Sequence, residues 1–90
     1  MSYEFKATVT FWRAYAKLSP FQKVNAHEAF EIFKVNPFDQ RLKTHKIEKL
    51  FSRLGRTVYS VTVENNLRAV FFIKGNVVYT FDIGTHDIYR

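Results

Sequence analysis

Ninety residues make one domain with a modest core, and a composition that is 47% apolar, with ten Phe, excludes disorder over most of the chain. The absence of Cys excludes disulfides and thiolate metal sites and points to a reducing, cytoplasmic setting. Residues 1–6 do not read as a secretory signal, and the longest apolar run, residues 69–73, is too short to span a bilayer. The formal net charge of +6 directs attention to phosphate backbones, anionic lipid surfaces and acidic proteins as partners. That charge is concentrated: six Lys or Arg fall between residues 41 and 56, with Glu48 as the one acid and His45 among them.

In chain order, Phe5, Ala7 and Val9 alternate with Glu4, Lys6 and Thr8, the pattern of a strand with one buried face. The period then lengthens. Phe11, Tyr15 and Leu18 fall at i, i+4 and i+7, a short amphipathic helix with Thr10 as its expected cap, and Trp12 is expected to pack with its N–H near an edge. Ser19-Pro20 begins a second helix, with Ser as cap and Pro at the first helical position. Ala26, Ala29, Phe30 and Phe33 form its apolar stripe. His27, between Lys23 and Glu31 on the opposite side, reads as a solvated helix residue. Asn36-Pro37 closes this helix, because Pro forces its predecessor out of the helical region.

Residues 38–56 admit two readings. Ile47, Leu50, Phe51 and Leu54 are either one face of a short helix stopped by Gly55 or the anchors of an irregular basic loop. From Thr57 onward the chain reads as an antiparallel meander: Tyr59, Val61, Val63; then Leu67, Ala69, Phe71, Ile73; then Val77, Tyr79, Phe81, Ile83. Turns at Asn65-Asn66 and Gly75-Asn76 join the strands. Regular two-residue loops would bury Arg68 in an apolar layer, which is costly without a partner. Three-residue loops, each ending in a left-handed Asn, place all three odd-numbered series on the helix-covered face. Arg68 then lies on the other face with Thr62 and Asp82 as cross-strand neighbours, among Val70, Phe72 and Val78. A face half apolar and half polar in this way suggests a partner.

Beyond the last strand, Gly84 permits a sharp exit from the sheet edge and His86 follows on a short tether, expected near Arg68 and Asp82. An imidazole exchanges protons at cellular pH, and a guanidinium neutralises phosphate charge through a bidentate fork. With the basic segment supplying Lys43, Lys46, Lys49, Arg53 and Arg56 as RNA-binding cations, these are the parts for metal-free RNA cleavage. The bland alternatives are a terminal structural His86, a His45 that merely belongs to a basic loop, and an Arg68–Asp82 ion pair worth ~0.2–1 kcal/mol. Three His without helical i, i+4 spacing do not make a recognisable metal site.

These residues also resemble a family. The segments Leu42-Lys43-Thr44-His45-Lys46-Ile47, Tyr59-Ser60-Val61, Leu67-Arg68-Ala69-Val70-Phe71 and Asp82-Ile83-Gly84-Thr85-His86-Asp87, with Tyr89, are similar in order and spacing to the RelE/ParE superfamily of bacterial toxins, and more narrowly to its YafQ-like members. The resemblance implies an α+β RelE-like fold over residues 1–90, with an N-terminal strand and two helices packed on an antiparallel sheet completed by the meander. It implies a toxin that cleaves mRNA in the ribosomal A site without a metal or other cofactor, and a co-encoded acidic antitoxin. By position it assigns catalysis to His86, Arg68 and His45, with Asp82 and Tyr89 beside them. The chain departs from the YafQ pattern at Asp82, where those relatives carry Arg, and at Asn66, where they carry Asp; Arg53 or Arg56 is left to supply the missing cation. Two other functions stay open: inhibition of DNA gyrase in the manner of ParE, and RNA or partner binding without catalysis.

Overall fold

A computed structural model of the chain describes residues 3–48 and 55–85. Strand β1 (Glu4–Ala7) leads directly into helix α1 (Val9–Ala16) and helix α2 (Pro20–Phe33). A single 3-10 turn (Gln40–Leu42) and the short strand β2 (His45–Lys46) precede the meander of β3 (Tyr59–Glu64), β4 (Leu67–Lys74) and β5 (Val77–Gly84). The five strands form one sheet in the order β1-β5-β4-β3-β2.

The sheet is mixed. The meander and β2 are antiparallel, whereas β1 pairs with β5 in parallel. A parallel neighbour needs a long crossover, and here both helices and strands β2, β3 and β4 lie between the two strands in sequence. The sequence-based expectation of an antiparallel sheet therefore holds for the meander and fails at β1.

Local chemistry explains the helix starts. Thr8, not Thr10, caps α1: its side chain accepts from the Phe11 N–H at 3.1 Å. Val9 is consequently the first helical residue and 66% exposed, rather than a buried strand position. Ser19 caps α2 in a reciprocal box, its Oγ accepting from Gln22 N–H at 3.1 Å while Gln22 Oε1 accepts from Ser19 N–H at 2.9 Å. Pro20 occupies the first turn, as the sequence suggests.

The main core lies between the helices and one sheet face. Ala26, Ala29 and Phe33 of α2 are buried against Val61, Leu67, Ala69, Phe71, Val78 and Ile83. Phe71 is its centre, stacked on Tyr59 at 5.2 Å and met edge-on by Phe33 at 5.0 Å. Trp12 is not packed into this core. It is 55% exposed, touching Phe11 and Tyr15 along its own helix.

The register differs from the expected one in an instructive way. Both hairpins close with two-residue turns, Glu64 facing Leu67 and Lys74 facing Val77. A bulge then resets each ladder, with Val63 as the extra residue in β3 and Phe81 in β5. Beyond the first bulge Thr62 faces Arg68, as anticipated. Beyond the second, Val70 faces Asp82 and Arg68 faces Gly84, so Asp82 is not the cross-strand partner of Arg68. Neither Asn66 nor Asn76 is left-handed; Gly75, at φ +64°, carries that conformation. Val78 joins the main core, while Tyr79 and Phe81 take the opposite face. The expectation that put Val78 beside Arg68 is reversed, because an unbulged ladder cannot change parity midway.

Candidate functional site

The sheet face turned away from the helices is the face on which sequence placed the chemistry, and it carries a second, smaller core. Val58 and Val70 are buried there under Ile47 and Phe81. Around this centre the ladder sets out a row: His45 faces Ser60, Ser60 faces Val70, and Val70 faces Asp82. The neighbouring row holds Thr62, Arg68 and Gly84. Pairing thus brings His45, Arg68 and Asp82 onto one face, though not into contact. Three strand spacings separate the His45 and Asp82 backbones by roughly 14 Å.

His45 is exposed on the edge strand, and its Nδ1 lies 3.0 Å from the Lys43 carbonyl oxygen. A carbonyl only accepts, so this contact places the proton of the neutral ring on Nδ1 and leaves the Nε2 lone pair free. Lys43 supplies that carbonyl from a left-handed backbone, φ 50°, at the end of the 3-10 turn. The imidazole is therefore held as a potential base.

Arg68 is committed locally. Its Nη1 donates to the backbone carbonyls of Glu64 and Leu67, tying down the tip of the β3–β4 hairpin. Among the described residues it forms no ion pair with Asp82. Asp82 accepts from the Ile83 N–H at 2.9 Å, and burial raises its pKa above the ordinary 3.8, partly offset by that hydrogen bond. A carboxyl lifted in this way has the properties of a proton-transfer group.

Of the basic residues, Lys43, Lys46 and Arg56 are exposed. Lys43 and Lys46 flank His45, Lys46 facing Tyr59 at the sheet edge. Arg56 lies over the Phe72 ring, its guanidinium carbon 4.4 Å from the centroid. His86, Tyr89, Lys49 and Arg53, and most of the two-way reading of residues 47–54, lie outside the described residues. What sequence reasoning missed is the aromatic group beside Arg56. Phe72 stacks on Tyr79 at 5.1 Å and meets Phe81 at 5.7 Å. The Gly75-Asn76 dipeptide was its available signal, since a two-residue turn there pairs Phe72 with Tyr79.

On the helix side, a groove of about 360 Å³ runs between β1, α1 and α2, lined by Phe11, Trp12, Tyr15, Phe30 and Phe33 with Lys6, His27 and the Glu31–Lys34 pair among its polar members. No helix among the described residues is long and apolar enough to cross a membrane.

No family model and no curated protein sequence matches the chain. Solved structures do. The archaeal RelE–RelB complex from Pyrococcus horikoshii aligns at a TM-score of 0.71 and 16% identity, over 94% of this chain and 96% of that one. The RelBE2 toxin–antitoxin complex from Mycobacterium tuberculosis aligns at 0.71 and 19% identity, over 96% and 100%. The DinJ–YafQ toxin–antitoxin complex from E. coli aligns at 0.70 and 13% identity, over 98% and 97%. Two helices on one face of this five-stranded sheet are thus the fold that these RelE-type structures share.

Proposed function

We propose that the chain is the toxin of a type II toxin–antitoxin pair and a metal-independent endoribonuclease that cuts mRNA in the ribosomal A site, acting in the cytoplasm. The observation that carries this reading is the far sheet face, where His45, Arg68 and Asp82 share two adjacent rows. Strand β5 ends at Gly84 beside Arg68, and His86 follows two residues later, a tether of at most ~7 Å. In the proposed reaction an RNA 2′-oxygen attacks the adjacent phosphorus as a base takes its proton. Arg68 and the basic segment stabilise the charge gathered on the phosphoryl oxygens. The bond to the 5′-oxygen breaks as an acid protonates it, leaving a 2′,3′-cyclic phosphate and a 5′-hydroxyl. His86 is assigned as the acid, and His45, with its free Nε2, or Asp82 as the base; Tyr89 is assigned to hold the substrate. Each positioned proton transfer is worth on the order of 10²–10⁴ in rate.

The antitoxin belongs to the same reading. Three of the structural relatives are toxin–antitoxin complexes, and the groove beside Trp12 offers an apolar surface to an acidic partner. One observation favours a non-catalytic RNA-binding relative instead: Arg68 commits its Nη1 to two hairpin carbonyls.

Induction in bacteria separates these readings. Wild-type chain is expected to stop translation and cut mRNA within codons, and His86→Ala to abolish cutting while its thermal melt is unchanged. Arg68→Lys is expected to reduce cutting, since an ammonium lacks the planar fork that grips a phosphate through two parallel N–H bonds. Toxicity that survives His86→Ala, or replication arrest with intact mRNA, removes the nuclease.

A further inference from the structure

We infer that Arg56, Phe72 and Tyr79 form a nucleobase-stacking shelf for single-stranded RNA, apart from His45, Arg68, Asp82 and His86. The inference rests on the RNA reading above. The Phe72 and Tyr79 rings lie near-parallel, 21° between planes at a centroid distance of 5.1 Å. Both are half-buried, so each keeps surface open on a face that faces away from the helices. Arg56, itself exposed, lies 4.4 Å over Phe72 and extends the stack with a planar cation.

An aromatic pair with a planar cation over one ring matches a base with a phosphate beside it. Every base offers a π-face and every linkage a negative charge, so such a shelf holds single strands without demanding a sequence. A plain apolar partner would gain nothing from the cation, and the net charge of +6 favours a polyanion. The shelf lies four residues along β4 from Arg68, about 13 Å away. It would therefore hold a base flanking the scissile phosphate rather than the base at the reacting centre. Sequence periodicity hid it, because only the tight turn at Gly75-Asn76 sets Tyr79 against Phe72.

The test uses the full chain and a short 2′-O-methyl RNA, which binds but cannot be cut because it lacks the attacking hydroxyl. Tyr79→Leu is expected to weaken binding about 5- to 150-fold with no change in its salt dependence. Tyr79→Phe is expected to bind as the parent does, since stacking needs the ring and not the hydroxyl. Arg56→Gln, a surface change that reads the shelf even if Tyr79→Leu folds poorly, should weaken binding and reduce the slope of log affinity against log salt by about 0.7. If the parent binds and both Tyr79→Leu and Arg56→Gln match it, the shelf is disproved while the RNA reading stands. If the parent binds no RNA, both fall. If polyglutamate binds with the same dependence on Tyr79, the shelf serves an acidic protein and the inference is overturned.

Discussion

Asp82 shows how one residue's surroundings change its meaning. In sequence it stands where YafQ-like relatives carry a cation; in the fold it is a carboxyl pushed above its ordinary pKa chiefly by burial. A carboxyl whose folded pKa is raised favours the folded state while protonated, and that contribution is lost as pH rises through the raised value. Asp82→Asn removes the charge and keeps an oxygen for the Ile83 N–H. Its melting temperature at neutral pH is expected to equal or exceed the parent's, and a clear fall would show that the ionised carboxylate has a partner. Asp39 behaves in the opposite sense. The hydrogen bonds from the Arg41 side chain and backbone N–H hold it at about 2, below its ordinary 3.8. Its stabilising contribution is complete above 3.8 and disappears as pH falls through about 2. Acid melts should therefore show Asp39→Asn converging on the parent only at the lowest pH.

Strand β5 is the element on which the site depends. One residue, Phe81, stands out of register, and that single insertion lets Val78 and Ile83 both reach the core while Asp82 and Tyr79 reach the far face. An even spacing cannot do this, since side chains alternate strictly along a regular strand. Deleting Phe81 would leave a regular ladder, with Asp82 still opposite Val70 and Ile83 still inward opposite Ala69, so what is lost is the cover that Phe81 gives Val58 and Val70, about 1–2 kcal/mol. Urea unfolding is expected to show a modestly lower midpoint, and a deletion variant that unfolds like the parent would mean that Phe81 gives the second core no cover. The β3 bulge at Val63 acts in the same way for Arg68, keeping it opposite Thr62 and off the apolar layer. The hairpins thus avoid burying a guanidinium by a route the loop-length argument did not contain.

Across the whole molecule the two faces of the sheet divide the work. Helices cover one face and leave a groove at its margin, whereas the other holds the row of ionisable groups and the aromatic shelf. A partner docked in the groove is therefore separable from RNA on the far face. Trp12, the one Trp of the chain and 55% exposed in the groove wall, is the natural anchor and reporter. With the antitoxin of the proposed pair as titrant, Trp12→Ala is expected to weaken association by ~2 kcal/mol or more and to leave RNA binding intact. Equal affinity of the variant and parent in calorimetry would remove the groove from the partner's footprint.

Composition and periodicity by themselves determined the α+β class, the Ser19-Pro20 helix start, the stripe of α2 and the three strands of the meander. Each of these depends on residues within a turn or two of one another, so local chemistry decides it. They also singled out Arg68 and its Thr62 neighbour. Only the tertiary structure decided that β1 joins β5 in parallel, that Phe81 bulges and that Asp82 faces Val70 instead of Arg68. Those are choices between ladders of nearly equal local energy, settled by which side chains the helices can bury.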